Sequence, residues 1–419
     1  MPGSTPSKHR RFRRGPRPLQ HPVFRRIWNV SITGHFVRFV DFTLVAWLVV
    51  QQTNSSLAVG LLVFFRVIPF LIFGPVVGTL IDRFPRIRVF RLTQIGMAAA
   101  SLGFGVAIAN GFSSLPVIYA YTTIVGTLLM AEIPSKRAYI SGIVGPAALG
   151  SALALEMLSL NVAWFVGSNL GGVIAKLVDP SIAYIVIGAV FALNYRMLRG
   201  LPTMFHPGAS LAAVGALKAL TGSMAEGYRF ARANNAIFAG LLVVGVNNFF
   251  GYAFESMAPA FARDIYRAGP TGFGLLMSAQ GLGALVAAAF MTFRGRRMKN
   301  PGLLLIGSAI IQSIGSIGFS FTRTIGIGFL AIAGLGLVSL IFAITHTVLI
   351  LLASPPSIRG RIMGFQILMM GLFPLGSLAI GLTADAIGLG QAVRLFAAAG
   401  MVLLILIWVK YPALRKPPG

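Results

Sequence analysis

The chain has no cysteine, only nine acidic residues, and 11% charged residues in a length of 419. The lack of cysteine excludes disulfides and thiolate metal sites. So little charge excludes an ordinary soluble domain, where about a quarter of residues are charged. Several chemical signatures are also missing. There is no His-Glu-x-x-His zinc motif, no Gly-Lys-Ser/Thr phosphate loop and no Gly-x-Ser-x-Gly nucleophile turn. The five histidines, His9, His21, His35, His206 and His346, show no ligand spacing. No cofactor, no metal and no enzymatic activity are expected. With no ATP loop, any driving energy must come from an ion or substrate gradient, or from nothing at all.

What the chain has is apolar length. Hydrophobic residues make up 56% of it, in twelve runs near 29–50, 57–80, 89–110, 115–133, 149–178, 181–198, 235–260, 272–293, 301–321, 325–352, 362–384 and 393–411. Continuous runs of about 20 residues suit helices crossing a bilayer, whereas a barrel would need short alternating segments. The expected fold is an all-α integral membrane protein with twelve transmembrane helices. The +26 formal charge follows the same division. With the N-terminus in the cytoplasm, twenty-eight basic residues fall in cytoplasmic segments and four, Arg263, Arg267, Arg323 and Arg394, fall outside. This is the positive-inside pattern. It predicts a multi-pass protein of the cytoplasmic membrane with both termini cytoplasmic, and it leaves no reason to invoke nucleic acid.

The runs divide into two sets of six. Residues 1–28 form a basic tail suited to anionic lipid. Residues 29–200 and 235–412 form the two bundles, and 413–419 a second tail. Residues 201–234 form a cytoplasmic linker with an amphipathic helix from Leu217 to Ala233. The halves repeat one another. Pro134-Ser135-Lys136-Arg137 corresponds to Pro356-Ser357-Ile358-Arg359, Gly167-Ser168 with Gly172 to Gly376-Ser377 with Gly381, and Gly60-Leu61-Leu62 to Gly274-Leu275-Leu276. Such matches at equivalent places indicate a 6+6 pseudo-repeat.

Between the second and third runs lies Gly78-Thr-Leu-Ile-Asp82-Arg83-Phe-Pro-Arg86. It resembles the Gly-x-x-x-Asp-Arg-x-Gly-Arg-Arg loop of the major facilitator superfamily. Pro85 stands where that family prefers glycine. The likeness extends over about residues 25–412. Glu226-Gly-Tyr-Arg229-Phe and Pro355-Pro356-Ser-Ile-Arg359-Gly360-Arg361 resemble the branch of enterobactin-type siderophore and macrolide exporters. The resemblance implies a latch in which Asp82, with Gly78, Arg83 and Arg86, faces the start of helix 11 at Arg359 and Arg361. It also implies a monomeric transporter of a small molecule.

A few ionisable groups lie inside the runs: Arg38, Asp41, Arg66, Glu156, Lys176 and Glu255. Such groups are costly in a membrane and usually face a cavity or each other. Lys176 is near a helix end and can snorkel. Arg38, three residues before Asp41, shares its helical face. At ~1.5 Å per residue Asp41 and Arg66 lie about 18 Å and 21 Å from the cytoplasmic side, at one level. Asp41 reads either as a proton-coupling group whose charge Arg38 and Arg66 set, or as a static ion pair. Glu156 and Glu255 are further candidates. Gln280, Asn247, Asn248, Thr345, His346 and Thr347 line a cavity or bond helix to helix. The expected function is proton-coupled efflux of a small amphipathic molecule by alternating access. The alternatives are an importer, an uncoupled facilitator, a lipid flippase or a non-transporting sensor or scaffold.

Overall fold

A computed structural model describes residues 18–53, 55–81, 84–203, 228–294, 300–355 and 358–415. Among these residues twelve long helices appear and no strand. The first six are α1 (Pro22–Gln52), α2 (Ser56–Ile81), α3 (Arg86–Ala109), α4 (Leu115–Gly145), α5 (Ala148–Leu177) and α6 (Pro180–Leu198). The second six are α7 (Asn235–Ile265), α8 (Gly269–Arg294), α9 (Pro301–Ser320), α10 (Ile325–Ala353), α11 (Arg359–Met370 and Phe373–Ile387) and α12 (Leu389–Lys410). Residues 228–233, the end of the expected amphipathic segment, are helical. The rest of that segment and residues 1–17 of the basic tail lie outside the described residues.

Local chemistry sets the helix starts. The Asp179 side chain accepts from Ser181 N at 2.8 Å to open α6. Asn234 accepts from Ala236 N and Ile237 N, each at 3.1 Å, to open α7, and Asn300 accepts from Leu303 N at 3.1 Å to open α9. These side chains satisfy donors that a helix N-terminus leaves unpaired. Gly145 breaks the chain between α4 and α5 with φ +68°, a conformation glycine adopts without a Cβ clash. Two boundaries differ from expectation. The run ending at 133 continues through Pro134 to Gly145, because neighbouring helices tolerate proline in a membrane helix. Glu132 and Lys136 are therefore interior residues, and Lys136 is not a loop charge. Likewise α1 begins at Pro22 rather than 29, since proline fits the first helical turn.

Since α1 begins and α12 finishes at the same end of the bundle, that end is called near and the opposite one far. At the far end one apolar core runs through both halves, including Leu44, Val49, Leu62, Phe104, Phe254, Phe273 and Ile380. At the near end the cores separate. Phe24, Ile27, Ile87, Phe90 and Tyr139 pack within the first half, and Ile237, Leu241, Leu305, Phe342 and Leu349 within the second.

The repeated glycine motifs meet where the far-end core crosses between halves. A Cβ on Gly274 of α8 would lie 2.5 Å from Ser168 O and 2.9 Å from Gly172 Cα of α5. A Cβ on Gly60 of α2 would run into Ser377 O of α11 in the same way. Each motif thus touches the other motif of the opposite half, α5 on α8 and α2 on α11. Small residues here allow the close backbone approach that holds membrane helices together. Introducing Gly60→Leu and Gly274→Leu together is expected to wedge this end apart. Spin labels on the far ends of α2 and α11 should then report a longer distance. An unchanged distance would show that these glycines do not limit the seam.

Candidate functional site

The interior of the first half is a ladder of charges between α1 and its neighbours. His35, Arg38 and Asp41 succeed one another at intervals of three on α1. They meet Lys136, Glu132 and Tyr121, which descend in the opposite sense on α4. On the first rung Lys136 Nζ lies 2.8 Å from Glu156 Oε2 and 3.2 Å from His35 Nε2, while His35 Nδ1 is 3.1 Å from Ser159 Oγ. On the second rung Arg38 pairs with Glu132. Gln94 Nε2 donates to Glu132 Oε2 at 2.9 Å, and Asn194 and Thr33 continue the chain at 3.4 and 2.7 Å. On the third rung Arg66 Nη2 donates to Asp41 Oδ2 at 2.9 Å, and Tyr121 OH donates to Asp41 Oδ1 at 2.7 Å. The Arg66 guanidinium also lies 5.2 Å from the centre of the Phe42 ring.

Each rung joins one cation to one anion, so the ladder carries no net charge when His35 is neutral. Asp41, Glu132, Lys136, Glu156 and Arg66 are all buried. One atom per rung, Glu156 Oε1, Arg38 Nε and Arg66 Nη1, has no hydrogen-bond partner among the described residues. Arg66 and Asp41 come together as the depth argument expects, but Arg38 turns to Glu132 rather than Asp41. Glu156 stands eight residues inside α5 and pairs with Lys136 rather than marking a helix start. Glu132 and Lys136 were not among the expected site residues. The available sign was their spacing of four on one helical face, which the proline between them obscured.

The second half is built differently. Glu255 of α7 is half-buried and accepts from Gln280 Nε2 of α8, with no cation within ion-pair distance among the described residues. Gln366 of α11 and His346 Nδ1 of α10 lie 2.5 Å apart. Asn248, Thr345 and Thr347 bond carbonyls of their own helices at 2.9, 2.9 and 3.2 Å. Asn247 is 1% exposed, and neither of its amide atoms has a partner among the described residues. Around these groups α7 departs from the α form. It makes wide turns over Asn247–Gly251 and Phe261–Ile265, with a tight 3-10 stretch at Ala253–Met257 between them.

The halves are also tied at the far end by side chains. Asp385 of α11 accepts from Ser55 Oγ and Ser56 N at 2.6 Å and from Leu57 N at 3.3 Å, capping α2. Arg263 of α7 donates to Val50 O at 2.7 Å and Thr53 O at 2.5 Å, capping α1, while its own neighbour Asp264 holds the guanidinium at 2.6 Å. A carboxylate on helix N–H groups and a guanidinium on C-terminal carbonyls both complement the helix dipole. Of the expected near-end latch, Gly78 lies in the last turns of α2, Arg86 opens α3, and Arg359 Nε donates to Ser354 O at 2.9 Å. Arg361 stands in the first turn of α11. Asp82 and Arg83 lie outside the described residues.

Two six-helix bundles with matched glycine seams and charges placed inside the membrane helices define a transporter of the major facilitator type, not an enzyme. The chain belongs to the family described as "Transmembrane secretion effector", whose profile matches residues 15–416. It is 21% identical over 374 residues to the Staphyloferrin A transporter of Staphylococcus aureus, covering 88% of this chain and 91% of the relative. It is 24% identical over 396 residues to the multidrug efflux pump Tap of Mycobacterium tuberculosis, covering 92% of each. Among solved structures, a POT family transporter in complex with 5-aminolevulinic acid superposes with a TM-score of 0.71 at 10% identity, over 94% of this chain and 96% of that one.

Proposed function

We propose that the protein is a monomeric secondary exporter of a small amphipathic molecule. It lies in the cytoplasmic membrane with both termini in the cytoplasm and exchanges its cargo for protons by alternating access. The observation that carries this reading is the division of the core: one apolar body across both halves at the far end, and bodies confined to one half or the other at the near end. Such a bundle presents its interior to one side, here the side of the termini. Rocking the halves about the charged interior presents it to the other. A scaffold has no use for buried ion pairs of this cost, and two relatives, a Staphyloferrin A transporter and a multidrug efflux pump, favour a small cargo. The cycle needs a second latch that closes the near end, and we assign that role to Asp82, acting on the start of α11 at Arg359 and Arg361 when that end shuts.

The test is uptake of siderophores, macrolides and cationic dyes into inverted vesicles, with and without a pH gradient. Export predicts accumulation that an inward-acid gradient drives and an uncoupler abolishes. Accumulation indifferent to the gradient would leave a facilitator.

A further inference from the structure

The far end of the bundle carries its positive charge on one side. Every arginine at or near it, Arg263, Arg267, Arg323 and Arg394, belongs to the second half, while the first half brings Lys176 and Asp179. Arg263 is committed to Asp264 and to the α1 carbonyls, and Asp385 to the start of α2. Arg267, Arg323 and Arg394 have no carboxylate within ion-pair distance among the described residues. The backbone offers no counter-charge either. Arg323 stands just before α10 and Arg394 in the first two turns of α12, and a helix start carries partial positive charge. An excess of arginine at this end also runs against the charge bias that orients membrane helices, so orientation does not account for it.

The three gather at one place. Tyr266 OH and Thr322 Oγ1 are hydrogen-bonded, so Arg267 and Arg323, each next in the chain, flank the bond that joins the α7–α8 turn to the α9–α10 turn. Arg394 reaches the same spot from α12. Its guanidinium lies 4.7 Å from the centre of the Phe321 ring, two residues before Arg323. Arg267 has φ +51°, the only positive φ outside glycine among the described residues. It holds the left-handed position after a helix where glycine is usual, and a side chain there costs conformational energy. The surface beside the arginines is apolar. Phe321 is 59% exposed, and Ile327 and Leu330 of α10 and Leu395 of α12 are exposed as well. On membrane helices such side chains meet acyl chains. Arg394 lays its stem along this surface and carries its charged head toward the rim.

We propose that Arg267, Arg323 and Arg394 bind the phosphate of an anionic phospholipid in the leaflet at the far end, with its acyl chains against Phe321 and Leu395. Guanidinium groups match phosphate oxygens in paired N–H···O bonds. A soluble phosphate would gain those contacts alone. A lipid also covers the apolar surface beside them, and that surface decides for lipid. Basic pockets between membrane helices take anionic headgroups by the same chemistry. The bound lipid joins the α7–α8 turn, the α9–α10 turn and α12 into one unit. Arg267 is four residues, or one helical turn, beyond the Arg263 clasp on α1, so the lipid also steadies the far-end tie between the halves. The site stands whatever the cargo and whatever drives it.

The full-length protein in nanodiscs of phosphatidylcholine, plain or doped with phosphatidylglycerol, tests this by thermal melting. Phosphatidylglycerol is expected to raise the melting temperature of wild type more than that of Arg267→Gly. In phosphatidylcholine alone Arg267→Gly should melt at or above wild type, because glycine fits φ +51° without strain. That advantage should shrink or reverse once the anionic lipid is present, an exchange of order that a merely structural arginine would not produce. Native mass spectrometry should show Arg323→Gln with Arg394→Gln retaining one phosphatidylglycerol fewer than wild type, with affinity falling roughly fivefold per arginine removed. Near-end basic residues bind this lipid equally in all the proteins, so only the difference is read. An equal lipid response in wild type and variants overturns the site, as does phosphatidylcholine held as tightly as phosphatidylglycerol. If inorganic phosphate stabilises the detergent-solubilised protein as much as the lipid does, through the same arginines, the site is one for a soluble anion and the lipid assignment falls.

Discussion

Asp41→Asn is expected to destabilise the detergent-solubilised protein by about 3–5 kcal/mol, because it leaves the buried Arg66 guanidinium without its counter-ion. Asp41→Asn with Arg66→Gln should recover most of that loss, since removing both charges removes the penalty. The argument turns on burial. Both groups are at most 9% exposed, and Tyr121 fills the second carboxylate oxygen, so no water replaces the lost bond cheaply. The same pair of variants decides between the two readings of Asp41. As a static rung, the double variant regains thermal stability together with pH-driven transport. A stable double variant that has lost gradient-driven transport while still binding cargo would make Asp41 the coupling group and not a strut. A double-variant cycle on melting temperature and on transport measures both.

Asp385→Ala should have the second largest effect, on conformation rather than on stability. Three donors at the start of α2 lose one carboxylate. The site is exposed, so the loss is of capping size, about 1–2 kcal/mol. A bond made in one arrangement and absent from the other shifts their populations by its own free energy. That is roughly a five- to thirtyfold change toward the arrangement open at the far end. Labelling of cysteines introduced along the far half of α8 should accelerate accordingly. Asp82→Asn should shift labelling the opposite way, toward a near-end cavity, because the latch proposed for Asp82 serves the near end and Asp385 ties the far one. If both variants moved labelling in one direction, the opposed-latch scheme would be wrong.

The twelve helices were legible because hydrophobic length and the placement of arginine are properties of single segments. A run such as 325–352 needs no partner to declare itself, and the helix found there is Ile325–Ala353. The pairing of charges was not legible, because it depends on which helices adjoin. Arg38 sits three residues from Asp41 and shares its face, yet α4 brings Glu132 closer. Pro134 hid this partner by imitating a helix end. The glycine motifs were visible as repeats, but nothing in one dimension says that Gly60 meets Ser377 rather than its own half. Asp385 carried no signal either, because the α2 start that it caps lies some 330 residues away in the chain. The wide turns of α7 left no sign at all, since a hydrogen bond from residue i to i−5 uses the same side chains as one to i−4.

Those wide turns give α7 a mechanical property of its own. Tyr252 N bonds Asn247 O and Tyr266 N bonds Phe261 O, so each turn holds one surplus residue. A surplus residue can travel: one N–H exchanges its fifth carbonyl for its fourth while the next does the reverse, and the number of bonds is conserved. Each such step turns the residue it passes by about a hundred degrees, the angle of one residue in a 3.6-fold screw. Glu255 lies between the two surplus residues, a turn beyond the first of them. A surplus residue that travelled past it would re-aim its carboxylate without the helix melting, and without the rest of the bundle having to follow at the same moment.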